Sequence, residues 1–319
     1  MNKTFCGYVS ILGKPNVGKS TLLNKILNKK VSITSRKSQT TRNNILGIKT
    51  SKNMQAVFID SPGIHGSAGR IMNKVLNKSA LGLIEDSDLI IFMTHRLQLD
   101  AQDEFILRKL KESNAKVICA INKVDQIKSQ NQLLPFIDQI KDKFGFLEIL
   151  PISAKYGDGL DDLEKVINSH LPESPFMYEE ESFIPNAHYE NFFITETIRE
   201  KIIRSLGDEL PHDTFVEIEQ LEEKEDLYKI LAVIYVSRES QKQIVIGDKG
   251  NKLKQIGIQA RKDLEKHFKK KVFLKTWVKV RKNWNSDNDY LKSLGVGGTY
   301  ESKWLGELLS ASSKIIWRN

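Results

Sequence analysis

Gly13, Gly18, Lys19 and Ser20 stand in the stretch GKPNVGKS (residues 13–20), directly after the apolar run YVSIL. Two glycines with four residues between them, followed by lysine and serine, wrap a backbone around a phosphate chain. Gly13 and Gly18 permit the tight turn and let backbone N–H groups come close to phosphate oxygens. The helix expected to open at Ser20 and Thr21 adds its positive end. Lys19 is the group that reaches the outer phosphates, and the Ser20 hydroxyl is placed to ligate magnesium. Asn16, Val17 and Thr21 complete the expected phosphate lining. A glycine-rich turn can match this spacing by chance, but a strand before it and a helix after it argue for a phosphate loop.

Two further stretches belong to the same chemistry. DSPG (Asp60–Gly63) closes a strand-like run. A carboxylate there can hold magnesium through water, and the Gly63 N–H can touch the outermost phosphate. NKVD (Asn122–Asp125) follows the run KVICAI. Guanine presents a ring N–H and an exocyclic amine along one edge, and the Asp125 carboxylate can accept from both. Adenine offers no such pair of donors, so a carboxylate facing it stays unsatisfied. Asn122 is expected to tie the surrounding loops together and the Lys123 stem to cover the base. In SAK (Ser153, Ala154, Lys155), backbone N–H groups can meet the guanine oxygen. NKVD alone is more often a surface turn; following the other two motifs in order, it marks the nucleotide as GTP, with GDP as the product.

The elements that must position these residues can be read from periodicity. From residue 5 to about 171, short apolar runs alternate with amphipathic ones: FCGYVSIL, ILGIKT, MQAVFID, DLIIFMT, KVICAIN and LEILPIS, with helical patterns such as STLLNKIL and DEFILRKLKES between them. Such alternation predicts an α/β domain with a mostly parallel sheet. ILGIKT and MQAVFID, joined by SKN, read as a hairpin, so one strand should run antiparallel. At 172–186, three prolines counted from Leu171 and a run of glutamates suggest a linker. A second, α+β domain is expected over 187–294: a helix (YENFFITETIREKIIRSL), two strands, a helical region around VIGDKG and a last strand KVFLKTWVKV.

In that second half, Gly247, Asp248, Lys249 and Gly250 form a GXXG loop, read as lying between a short apolar turn and a long helix. Such loops let a nucleic-acid backbone approach closely while apolar neighbours, here Ile246, pack on unpaired bases. A lone GXXG is weak. Here Arg238–Lys282 carries fifteen Lys and Arg against four Asp and Glu, an excess beyond the +9 of the whole chain. Lys242, Lys249, Lys252 and Lys254 are the expected phosphate contacts. Some of these lysines will only solvate a helix face, but the total points to RNA.

The ordered motifs GKPNVGKS, DSPG, NKVD and SAK resemble those of translation-factor-type GTPases. SITSRKSQTTRNNILGI (residues 32–48) resembles the first switch of the bacterial Era GTPases, and the helix–strand–strand–helix–helix–strand order of the second half resembles a type II KH domain. The likeness to the Era family runs over about 3–294, with VIGDKG, IGIQARKDLE and WVKVRKNW among its pieces. It implies that Thr41, with Thr40 a near alternative, closes over magnesium and the outer phosphate, and that Asn16 helps hold a potassium ion. It implies slow hydrolysis, quickened by RNA or a ribosomal partner. As partners it implies the 3′ end of small-subunit ribosomal RNA and the pre-ribosomal small subunit. It also implies a role in small-subunit maturation, coupled to growth, and a cytoplasmic monomer touching the inner face of the cell membrane peripherally. Ras-like GTPases orient the attacking water with a glutamine after the DxxG glycine. Here that residue is Ile64, and the adjacent His65 is more often a solvated loop residue than a catalyst. Residues 295–319 match nothing in the family and receive no role.

Composition narrows the field further. With 319 residues, 40% apolar and 28% charged, the chain suits two folded domains. Its apolar runs are strand length, short of the roughly 20 residues that span a bilayer, and the start MNKTFCGYVSILGK has no signal-peptide pattern. Cys6 and Cys119, both in apolar runs, read as buried free thiols. Three rivals stay open: an RNA-binding scaffold that only senses GTP, a small-molecule P-loop kinase, and a GTPase whose basic patch meets anionic lipid rather than RNA.

Overall fold

The computed structural model describes residues 3–35, 40–64, 71–127, 129–182, 184, 189–206, 213–294 and 296. They fall into two compact units, one built from 1–31, 41–186 and 292–319, the other from 32–40 and 187–291.

The first unit is a six-stranded sheet in the order β2-β3-β1-β4-β5-β6. Its strands are β1 (Phe5–Leu12), β2 (Ile45–Ser51), β3 (Met54–Asp60), β4 (Leu89–His95), β5 (Val117–Asn122) and β6 (Glu148–Pro151). The helices are α1 (Lys19–Ile26), α2 (Ile71–Asp86), α3 (Ala101–Glu112), α4 (Leu133–Lys143) and α5 (Leu160–His170). Only β2 runs antiparallel, in the hairpin with β3 that the sequence predicts. Strands covered on both faces read as unbroken apolar runs, and all seven residues of β4 are buried. Strand order reverses at β1, which pairs with β3 on one side and β4 on the other. The crevice at the carboxyl ends of those strands is where open α/β sheets bind ligands, and the phosphate loop leaves β1 there.

The proline-rich stretch read as a linker is tied down at its start. Cys6 N–H donates to Pro172 O at 3.1 Å and Ser174 N–H to Thr4 O at 3.0 Å. The buried Gln55 Oε1 accepts from the N–H groups of Met177 and Tyr178 at 2.9 and 3.0 Å.

The second unit is a three-stranded sheet, β7 (Thr214–Glu223), β8 (Leu227–Val236) and β9 (Lys271–Val280), in that order. β7 and β8 are antiparallel; β8 and β9 are parallel. Their crossover holds α7 (Glu239–Ile246) and α8 (Asn251–Phe268), with α6 (Tyr189–Ser205) before the sheet and α9 (Asn288–Ser293) after it. One core joins Ile194, Ile198 and Ile202 of α6 to Ile230 and Ile234 of β8 and Ile256, Ala260 and Leu264 of α8. The stretch before the GXXG loop is a full helix rather than an apolar turn: Val245 is buried in this core, and Gln241 Oε1 accepts from the N–H groups of Ser237 and Arg238 to start the helix. Within this unit α6 buries charge as well: Glu200 is 0% exposed and accepts from Arg204 at 2.8 Å and from the Thr34 N–H at 3.3 Å.

Candidate functional site

The nucleotide residues gather at the carboxyl ends of β1, β3, β5 and β6. Gly13 has φ 154° and Gly18 φ 111°, a region that favours glycine. Space is also denied: a Cβ on Gly13 would stand 2.6 Å from Met93 O, and one on Gly18 2.3 Å from Asn122 Nδ2. Val17 is fully buried beneath the loop, whereas Asn16 is exposed with φ 65°. The Lys19 amine, 6% exposed, donates to Gly13 O and Lys14 O, both at 3.0 Å. Burial lowers its pKa to about 8, with Asp60 opposing the shift. A cation folded onto its own loop carbonyls is placed to turn to phosphate oxygens instead.

Three oxygen donors converge beside it. Ser20 Oγ donates to Asp60 Oδ2 at 2.6 Å and lies 2.9 Å from Thr41 Oγ1. Asp60 closes β3 and is fully buried. A carboxylate and two hydroxyls are hard ligands that suit magnesium, which takes its remaining positions from waters and phosphates. No cluster of three His, Cys, Asp or Glu side chains among the described residues could hold a metal. A magnesium site here therefore depends on the hydroxyls and the nucleotide.

Gly63 lies against the phosphate loop, where a Cβ would stand 2.8 Å from the Pro15 nitrogen, and the next N–H, of Ile64, donates to Gly13 O at 3.3 Å. The Ile64 side chain is 0% exposed and packs in the core with Leu12, Ile59 and Phe92. It neither bonds nor reaches water. His65 lies outside the described residues.

The base-binding motifs are knitted to the loop. Asn122 Nδ2 donates to Val17 O at 2.7 Å while its Oδ1 accepts from the Ala154 N–H at 2.9 Å. Lys123, at φ 65°, donates from Nζ to Asn16 O at 2.7 Å, so its stem stretches across the site. The Asp125 carboxylate is exposed and accepts from the buried Ser153 Oγ at 2.7 Å. Lys155 lies outermost, with its amine 2.7 Å from Tyr156 Oη. Thr21 stands half-buried in the first turn of α1. The structure thus brings every nucleotide residue expected from sequence to one end of one sheet. Sequence reading missed Lys14, whose amine is held between Asp100 and Asp103; these lie 86 and 89 residues further on, beyond the reach of any local motif.

In the second unit, Gly247 (φ 73°) and Gly250 (φ 77°) bracket Asp248 and Lys249, and Lys249 itself adopts a left-handed φ of 46°. A Cβ on Gly247 would meet Lys252 Cβ at 2.5 Å; one on Gly250 would meet nothing within 4 Å. Lys249 and Lys254 are exposed, Lys252, Lys242 and Ile246 half-buried, and Lys242 pairs with Glu239 at 3.2 Å. The loop is open where a ligand backbone would approach.

Residues 8–123 match the family model described as 50S ribosome-binding GTPase, and residues 209–285 match that of the KH domain. The chain is 48% identical over 294 residues to the GTPase Era of Pasteurella multocida, covering 92% of this chain and 95% of that one. It is 44% identical over 295 residues to that of Coxiella burnetii, covering 92% and 99%. Two solved structures superpose with a TM-score of 0.87 at 37% identity, covering 92% of this chain and 99% of theirs. One is an Aquifex aeolicus Era variant bound to GDP and AlF4−; the other is an Era in complex with MgGDPNP and nucleotides 1506–1542 of 16S ribosomal RNA. With the phosphate loop, the guanine motifs and a KH domain in one chain, this GTPase belongs to the Era family.

Proposed function

We propose that this GTPase is a nucleotide-gated RNA clamp that binds the 3′ end of small-subunit ribosomal RNA and acts in maturation of that subunit. The observation that carries this reading is the open GXXG loop, with free space at Gly250 and exposed Lys249 and Lys254 beside it. An RNA backbone can come to contact distance of such a loop while Ile246 offers apolar surface to a base. The solved relative carrying 16S ribosomal RNA nucleotides supports RNA over other polyanions.

In the nucleotide half, proposed to span residues 1–171, Ser20, Thr41 and Asp60 hold magnesium, which neutralises charge between the outer phosphates. Lys19 turns from the loop carbonyls to the γ-phosphate, and the Gly63 N–H donates to the same group. Asp125 reads the two guanine donors, Asn122 fixes the loops, and the backbone from Ser153 to Lys155 meets the guanine oxygen. Ile64 is sequestered in the core, so the attacking water is oriented by another group. Asn16, exposed in the loop, would help hold a potassium ion, which would supply positive charge beside the phosphates. The RNA-binding half, 187–294, follows the 172–186 linker. The protein acts in the cytoplasm as a monomer that meets the pre-ribosomal small subunit and touches the inner face of the membrane loosely. Among the described residues, no helix is long and apolar enough to cross a membrane.

The test is affinity for a single-stranded oligonucleotide matching the rRNA 3′ end. It compares protein loaded with GDP, protein loaded with a non-hydrolysable GTP analogue, and Gly250→Asp. Tight binding with the GTP analogue alone, lost in the variant, is the expected result. Equal binding in both nucleotide states removes the gate. Binding to anionic vesicles with none to RNA makes lipid the ligand.

A further inference from the structure

Lys14 sits inside the phosphate loop, yet none of the nucleotide contacts above uses its side chain. The amine donates to Asp100 Oδ2 and Asp103 Oδ2, each at 2.6 Å. Both carboxylates open α3. Asp100 is its N-cap, accepting from the N–H groups of Gln102 and Asp103, and Asp103 returns the bond by accepting from the Asp100 N–H at 3.2 Å. Lys14 is 9% exposed and Asp103 0%. Asp100 is exposed, so the part withdrawn from water is the Lys14–Asp103 pair, and such a pair is weak evidence of stabilisation, because desolvation offsets much of the attraction. It does fix geometry. Burial works against the charge on Lys14, but the two carboxylates outweigh it and hold its pKa above the ordinary value. His95, at the end of β4, is 6% exposed; burial, with Lys123, Lys14 and Arg96 nearby, lowers its pKa to about 4. His95 is therefore neutral at physiological pH, and Lys14 is the cation that answers the carboxylates.

The loop backbone shows what this clasp controls. The Lys14 carbonyl accepts from the Lys19 amine at 3.0 Å, as does the Gly13 carbonyl, which also accepts from the Ile64 N–H at 3.3 Å. Residues 13 and 14 thus set where the phosphate-binding lysine rests and where the chain leaves Gly63. Met93 O lies under Gly13 and fixes one side of this turn. The start of α3, acting through the Lys14 side chain, fixes the other.

We infer that Lys14 is a positioning residue for GTP hydrolysis: clamped by Asp100 and Asp103, it holds the first turn of the phosphate loop, and with it Lys19 and the Gly63–Ile64 peptide, in the geometry the outer phosphate needs. Shifts of an ångström at reacting groups can cost about 10²-fold in rate. A cluster that served only the stability of the domain would change melting without changing the rate of each folded, nucleotide-bound molecule.

The experiment measures single-turnover GTP hydrolysis and GTP affinity on the full chain, with magnesium present. Lys14→Met and Asp103→Asn should each slow hydrolysis about tenfold or more while the Kd for GTP changes less than about threefold, and Lys14→Arg should recover most of the rate. Asp100→Ser keeps a capping oxygen and removes one charge, so it should slow hydrolysis only about two- to threefold. Wild-type rates in nucleotide-bound Lys14→Met overturn the proposal, as does a rate loss that Lys14→Arg fails to recover. If Lys14→Met does not fold, Asp100→Ser decides: a slower step at unchanged Kd supports positioning, and an unchanged rate overturns it.

Discussion

The nucleotide site and the GXXG loop solve opposite problems. Around the nucleotide, nearly every polar group is already bonded to another part of the site: Asn122 to Val17 O and Ala154 N–H, Ser20 to Asp60, Lys19 to two loop carbonyls. Glycines there are required because other atoms occupy the space a Cβ would take. At the GXXG loop Lys249 and Lys254 stand in solvent, and Gly250 has open space around it. A preorganised set of donors and acceptors suits a compact ligand that must be told from close analogues. Solvated charge beside an accessible backbone suits a polymer captured through many phosphates. Damage to the first should be abrupt and ligand-specific; damage to the second should be graded and sensitive to salt.

The largest expected effect belongs to the first. Asp125→Asn puts a donor opposite guanine's two donors, so GTP affinity should fall about 10³-fold or more. Asp125 is exposed, and Ser153 Oγ, which donates to it, can donate equally to an amide oxygen. Melting of the nucleotide-free protein should stay within about 0.5 kcal/mol of wild type. Fluorescent-nucleotide titration beside a thermal melt checks both. Loss of affinity together with loss of stability would mean that Asp125 supports the loop rather than reads the base.

The same contrast explains what could be read in the sequence. Phosphate and guanine motifs are legible because each takes its residues from one short loop, and the alternating strands are legible because buried parallel strands are apolar throughout. What stayed hidden depends on contacts between distant positions. Lys14 could not be matched with Asp103 from spacing alone. Nor could the proline-rich start at Pro172 be seen to bond back to Cys6. In α6, the consecutive charges Arg199, Glu200 and Lys201 read as solvent-facing, yet they are 2%, 0% and 5% exposed. Ion pairs with Glu196, Arg204 and Asp263 make that burial tolerable. The apolar run IVI before the GXXG loop reads as a short turn because three residues are too few to show a helical period. The structure makes it helical, since Val245 must reach a core that α8 and the sheet complete.

An intermediate effect follows from Lys19. Its pKa is lowered to about 8 in the nucleotide-free protein, because burial disfavours the cation. A triphosphate favours that cation and raises the pKa again. Above about pH 8, GTP binding should therefore take up a proton, and affinity should fall about fivefold between pH 8 and 9. Well below pH 8 the group is protonated in both states and contributes no dependence. Calorimetry in buffers of different ionisation enthalpy measures the uptake. Binding with no proton taken up at pH 8.5, a condition of about half a unit above that value, would show that Lys19 is charged before the nucleotide arrives.

The smallest effect separates the lysines around the GXXG loop. Lys254 is exposed, whereas Lys242 spends part of its field on Glu239, 3.2 Å away. Each lysine that neutralises a phosphate of single-stranded RNA contributes about 0.7 to the slope of log affinity against log salt. Lys254→Ala should lower that slope by about this amount and weaken binding uniformly across sequences. Lys242→Ala should lower it less, because a lysine already paired with Glu239 neutralises less of a phosphate and releases fewer counterions when RNA binds. Filter binding over a series of potassium concentrations would distinguish them. Equal slopes for both variants and wild type would move the phosphate path away from this side of the loop, leaving the backbone at Gly250 as its one point of close approach.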